Sequence, residues 1–167
     1  MKRILTLTAL VALIVLSSIA APPEVKAASQ DESAIAEKWI AAWNSHDAEK
    51  LLPLFTSDVF YEDVAFGEAS HSPAELRKFA ADYFESVPDL KIELLRVSLH
   101  NDHGTIEWTL SGTDKAMYRT GKKFSVRGVS VIDVRAGKIF RNLDFYDSAT
   151  IMRQLGLLPT QQPDSAK

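Results

Sequence analysis

The stretch Ser72–His100, "SPAELRKFAADYFESVPDLKIELLRVSLH", changes its period halfway along. Ser72, Pro73 and Glu75 make a helix-start signal with proline at the first helical position. Leu76, Phe79, Ala80, Tyr83 and Phe84 then recur at three- and four-residue spacing, which predicts one apolar helix face. Pro88 ends that pattern. Beyond it apolar and polar residues alternate through 90–100, apart from the doublet Leu94–Leu95. That is the period of a half-buried strand. A helix that feeds directly into a run of strands predicts an α+β fold.

Working outward, three further strand-like segments follow. They are divided by turn signals at Asn101–Asp102, Thr120–Gly121 and Ala136–Gly137. "SATIMRQLG" closes the domain as a short helix with Gly156 as its stop and Pro159 beyond. Upstream, residues 29–47 read as a helix with Ile35, Trp39, Ala42 and Trp43 on one face. Asp47 is placed to cap a second short helix, which Pro53 bends. "DVFYEDVAFG" is strand-like and ends in glycine. The expected architecture is a curved antiparallel sheet with the helices on one side, leaving a cone-shaped apolar cavity.

The start of the chain reads differently. A basic "MKR" precedes the apolar "ILTLTALVALIVL", and small residues run on to Ala27. This pattern predicts a secretory signal peptide over residues 1–27, cleaved near Ala27. The expectation is export to a periplasmic or extracellular space, with no stable membrane span after cleavage. The alternative is an uncleaved anchor, because Ile4 to Ala21 carries no charge. Residues 28–159 are then a single domain, and the polar stretch 160–167 a flexible tail. Without cysteine there is no disulfide and no cysteine-linked lipid. A net charge of −3 with scattered lysines gives no basic stripe, so nucleic acid is not an expected partner.

Candidate chemistry concentrates in "FRNLDFYD", Phe140 to Asp147. Alternation puts Asn142, Asp144 and Tyr146 on one face and Leu143, Phe145 and Asp147 on the other. If the first face lines the cavity, burial raises the Asp144 pKa toward a useful acid/base value. Arg127 on the neighbouring strand is in line to reach Asp144, either as working partner or as a plain structural ion pair. Asp147 stands just before the closing helix, where a cap is needed, although which of the two acids faces the pocket stays open. Trp39, Trp43, Tyr61 and Trp108 belong to the core or to the cavity wall, and such a wall suits a small hydrophobic ligand. His46, His71, His100 and His103 form no metal-ligand pattern, and neither a metal nor another cofactor is implied.

With these residues in place, "WIAAWNSHDAEKLLPLFTSDVFYEDVAFG" resembles the opening of nuclear transport factor 2-like domains. "PDLKIEL", "TGKKFSVRGVSVIDVRAGKI" and "DFYDSATIMRQLGL" resemble the SnoaL-like group, which includes polyketide (ester) cyclases. The resemblance implies a cone-like (cystatin-like) α+β barrel, homodimeric, with a pocket between helices and sheet. It also implies either a cofactor-free cyclase, isomerase or hydrolase acting on a hydrophobic carbonyl compound, or a non-catalytic binding or accessory module. Asp63 matches the general base of ketosteroid isomerases, while Trp39 and Val129 stand where those enzymes keep a tyrosine and a protonated aspartate. Arg127 and Asp144 match two of the three groups of the related epoxide hydrolases. Asp144 or Asp147 matches the cyclase aspartate, whose helper histidine has no counterpart between Ser125 and Ile139. His71 lies near the expected pocket mouth. The resulting candidates are Asp144, Asp63 and Arg127 for catalysis, and Trp39, Trp43, Tyr61, His71, Trp108, Asn142 and Tyr146 for substrate binding.

Overall fold

The computed structural model describes residues 30–159. The expected signal peptide and tail lie outside these residues. The chain forms α1 (Gln30–Asn44), α2 (Ala48–Leu51) running into a 3₁₀ turn at Pro53, β1 (Phe55–Asp63), β2 (Glu68–Ser70) and α3 (Pro73–Ser86). It continues through β3 (Lys91–His100), β4 (His103–Thr113), β5 (Lys123–Arg135), β6 (Lys138–Tyr146) and α4 (Ser148–Leu155). This is an α+β fold. No helix among the described residues is long and apolar enough to cross a membrane.

The helix boundaries follow the local chemistry. The Ser72 hydroxyl accepts the Glu75 N–H at the start of α3. The Glu75 carboxylate reaches back to the His71 N–H at 2.7 Å, one residue earlier than in the usual reciprocal box. Asp47 caps α2. Asp147 caps α4, accepting from the Thr150 N–H at 3.2 Å and the Thr150 hydroxyl at 2.6 Å. Gly156 ends α4 with φ +79°, a left-handed conformation that disfavours a side chain.

The strands run in the order β2-β1-β6-β5-β4-β3. Four of the five pairings are antiparallel, but β1 and β6 run parallel, so the expected all-antiparallel sheet is corrected to a mixed one. The reason is topological. The meander from β3 to β6 brings its last strand back beside β1, across a connection that includes α3. The sheet is open, with β2 and β3 at its edges, and does not close into a barrel. The Leu94–Leu95 doublet is a bulge: the β3–β4 register shifts there, and Leu95 turns outward. The segment before Thr120–Gly121 is a loop rather than a strand. It folds over buried Asp114, whose carboxylate accepts from the Tyr118 and Thr120 N–H groups.

The helices cover the concave face. The Asn44 side chain brackets the Ile92 backbone, donating to its carbonyl at 2.8 Å and accepting its N–H at 2.7 Å. His46 stacks on Phe84 and hydrogen-bonds the Leu90 carbonyl, which ties α1 to both α3 and β3. Leu51, Leu76, Ile106, Ile132, Ile139 and Leu155 form the driest part of the core. Between the helices and the sheet lies a cavity.

Candidate active site

β1 and β6 build the floor of that cavity. Their parallel register sets Asp63 directly opposite Asp144. Alternation turns both side chains inward, and both are buried. Each acid is held by the tyrosine of the other strand. The Tyr61 hydroxyl, two residues before Asp63, donates to Asp144 Oδ2. The Tyr146 hydroxyl, two residues after Asp144, donates to Asp63 Oδ2 at 2.6 Å.

The other oxygen of each carboxylate has two donors of its own. Asp144 Oδ1 accepts from the Ser130 hydroxyl at 2.6 Å and the Asn142 amide at 2.7 Å. Asp63 Oδ1 accepts from the Ala65 and Phe66 N–H groups at 3.1 and 3.2 Å, in the turn that follows β1. A carboxylate offers about four acceptor positions. Three are used on each acid, so each keeps one lone pair for a ligand.

The direction of the Ser130 bond is fixed by Trp108. An indole N–H can only donate, and that of Trp108 donates to Ser130 Oγ at 2.8 Å. Ser130 therefore spends its one proton on Asp144. Trp108 can lie over β5 because residue 128 is glycine. A Cβ on Gly128 would meet the Trp108 ring at 2.2 Å.

Burial dominates the electrostatics. It pushes the Asp144 pKa up to about 6, against the pull of the Ser130, Tyr61 and Asn142 hydrogen bonds, and the neighbouring Asp63 charge pushes the same way. Burial also raises Asp63, opposed first by the Tyr146 bond and then by the turn amides. Tyr61, Tyr83 and Tyr146 are all shifted well upward, first by burial and then by neighbouring groups, so they stay protonated as donors.

The cavity is small, about 30 Å³, and partly open to solvent. Trp39 and Trp43 of α1, Tyr61, Trp108 and Tyr146 line it, together with Asp63 and Asp144. Phe79 and Tyr83 from α3, Leu90 just ahead of β3, and Ile92 and Leu110 from the sheet complete the wall. Asn142 is fully buried beneath Asp144 and supports it without lining the cavity.

Two candidates lie elsewhere. Arg127 is exposed on the convex face, opposite Thr109 and beyond the end of the β5–β6 pairing, so it does not pair with Asp144. Val129 also points outward, and the inward residue opposite Asp144 is Ser130. His71 is exposed, packs against Phe60 on the outer side of β1, and is not part of the cavity wall. Ser130 went unrecognised in the sequence. The signal available was the two-residue period that puts it on one strand face with Gly128 and Val126.

This geometry can be set beside known proteins. A profile of the SnoaL-like domain matches residues 36–142. The chain belongs to the SnoaL-like domain family. The SnoaL-like chain is 29% identical over 111 residues to the cyclase aurE of Calcarisporium arbuscula, covering 65% of this chain and 82% of that one. A Catenulispora acidiphila protein of ketosteroid isomerase-like fold, solved in complex with trimethylamine, superposes with a TM-score of 0.69 at 24% identity, over 77% of this chain and 97% of that one. A Jannaschia protein named as a SnoaL-like polyketide cyclase gives a TM-score of 0.67 at 16% identity, over 80% and 99%. At these identities the two structures speak for the fold alone.

Proposed function

We propose that the protein is an acid/base enzyme of the cyclase or isomerase type, acting on a small hydrophobic carbonyl compound. One observation carries this reading: two carboxyls stand side by side in an aromatic cavity, each braced by the other strand's tyrosine and each with a lone pair to spare. Asp144 has the pKa suited to the task, being a carboxylate at neutral pH yet basic enough to take a proton from carbon. The Asp144 carboxylate accepts the proton α to the carbonyl while the C–H electron pair moves into an enolate. The enolate then attacks an internal electrophile or recovers the proton at another position. Asp63 and its tyrosine hold the second polar point of the substrate.

Deuterium exchange tests this directly. Acetophenone in D₂O should exchange its methyl protons faster with the protein than with buffer, as followed by NMR, and Asp144→Asn should abolish the gain. No acceleration by the native protein would count against catalysis. It would favour the second reading, a ligand-binding module, which the three existing hydrogen bonds on each acid also suit.

Export after signal cleavage and homodimerisation belong to the same proposal. The first rests on the leader pattern of residues 1–27. For the second, Val129 pairs with Phe145 and Val131 with Leu143 on the convex face, which makes an apolar strip facing away from the helices. Light scattering should give twice the chain mass, and Phe145→Glu should return it to one.

A further inference from the structure

Four buried side-chain polar atoms have no hydrogen-bond partner among the described residues: Trp39 Nε1, Trp43 Nε1, Thr56 Oγ1 and Asn142 Oδ1. Two of the four belong to the cavity wall, and both are indole N–H groups on α1. Trp39 and Trp43 are one helical turn apart, with ring centroids 6.0 Å apart. They are almost wholly buried, at 1% and 3% exposure. Trp108, the third tryptophan of the chain, lines the same cavity but spends its N–H on Ser130.

A buried donor without an acceptor is unfavourable, and native proteins rarely keep one except where function uses it. An indole N–H donates and never accepts, so only an acceptor can satisfy it. The neighbours of Trp43 are aromatic rings, those of Tyr61, Phe79, Tyr83 and Phe84. The two acids, which are the strong acceptors of the cavity, are already engaged by other donors. The cavity is thus polar in opposite senses at two places. β1 and β6 bring acceptors to the cavity, and α1 brings two wall residues whose donors have no partner.

We propose that Trp39 and Trp43 form an acceptor-binding subsite, donating to an oxygen of the substrate that faces α1. The ligand class is a largely apolar ring compound bearing a ketone or ester carbonyl. Its oxygen meets the indoles and its acidic C–H meets the carboxyls. The inference rests on the acid/base reading for the role of the C–H, but the subsite itself is a matter of binding. Indole donors also favour the enolate oxygen over the neutral carbonyl, because charge builds there as the proton leaves.

The test uses acetophenone and ethylbenzene, which share ring and size and differ in the carbonyl. Protein labelled with ¹⁵N at the indole nitrogen gives three N–H cross-peaks, assigned with Trp39→Phe and Trp43→Phe. Acetophenone should move the Trp39 and Trp43 N–H protons downfield beyond any ring-current shift caused by ethylbenzene. The Trp108 peak should stay in place. Acetophenone should also bind about tenfold more tightly than ethylbenzene, the value of roughly one hydrogen bond, and each substitution should shrink that ratio. Equal binding of the two probes, or shifts confined to Trp108, would overturn the subsite. The native-protein titration stands even if a variant fails to fold. A downfield response without deuterium exchange would sink the catalytic reading and leave the subsite intact. Exchange without the response would do the reverse.

Discussion

Asp63 and Asp144 face each other across the parallel β1–β6 pair, each held by a tyrosine from the other's strand. The arrangement places two buried carboxyls where a sheet would ordinarily put apolar side chains, and stability should register that cost. Folded Asp144 keeps its proton up to about pH 6, whereas the unfolded residue loses it near the ordinary 3.8. The folded state therefore binds the extra proton between those values, and stability falls as pH rises through that window. Asp144→Asn stays neutral throughout. It should be more stable than the native protein above pH 6, by on the order of 1–3 kcal/mol, and gain nothing below pH 4. Thermal melts across that range check the sign. A variant less stable at pH 7 than the native chain would show that the carboxylate form is the favoured one.

Activity should follow the opposite trend. If Asp144 acts as the base, the rate rises with pH as the carboxylate forms, with an acid limb near 6. Ser130 holds that limb down by donating to the charged form. Ser130→Ala should move the limb upward and leave the Trp108 N–H without its acceptor, at about 1–3 kcal/mol of stability. A pH–rate profile of the exchange reaction separates this from a merely structural loss, which would lower the rate equally at every pH.

How far the site could be read beforehand depended on the strand. In β6 the pattern Asn142, Asp144, Tyr146 against Leu143, Phe145 follows a two-residue period, and the inward face was legible. In β5 the usual rule inverts. The inward residues at the site are Gly128 and Ser130, while Val129 and Val131 point out. The resemblance placed Val129 and Arg127 at the site, but both lie on the outward-facing positions of that strand. Nor could local pattern reveal the β1–β6 pairing, since the paired acids are far apart in the chain and a parallel neighbour leaves no turn signature. The helices, by contrast, were marked by caps at Asp47, Ser72 and Asp147 that depend on adjacent residues alone.

Arg127 gives a direct check on that correction. Its side chain is exposed on the convex face, away from the carboxyls. Arg127→Ala should leave the exchange rate and its acid limb where they are, with stability within about 0.5 kcal/mol. A shifted limb would mean that the guanidinium reaches Asp144 after all.

Gly128 tests the packing beneath the site. A methyl group there would meet the Trp108 ring at 2.2 Å and force it off β5. Displaced, the indole loses Ser130, and the Ser130 hydroxyl is freed to rotate away from Asp144. Gly128→Ala should then cost about 1–3 kcal/mol through overpacking and raise the acid limb in the same direction as Ser130→Ala. Combining the two should move the limb no further than Ser130→Ala alone, because both act through one hydroxyl. Additive shifts would show that Trp108 influences Asp144 by a route other than Ser130.

Asp147 provides the counterpart to Asp144, three residues away and different in role. It is exposed and spends both oxygens on Thr150 at the start of α4, which hold its carboxyl below the usual range. Asp147→Ala should cost about 1 kcal/mol, the usual value of an N-cap, while Asp147→Asn should cost little because the amide oxygen can still accept. Neither should alter the acid limb of the exchange reaction. The stability signs of the two acids should also oppose each other at neutral pH: neutralising Asp144 stabilises and removing Asp147 destabilises. Melting both variants at pH 7 beside their exchange rates separates the cap from the pocket acid. Loss of exchange in Asp147→Ala, with α4 intact by its melt, would move the chemistry to the wrong side of β6 and overturn the assignment.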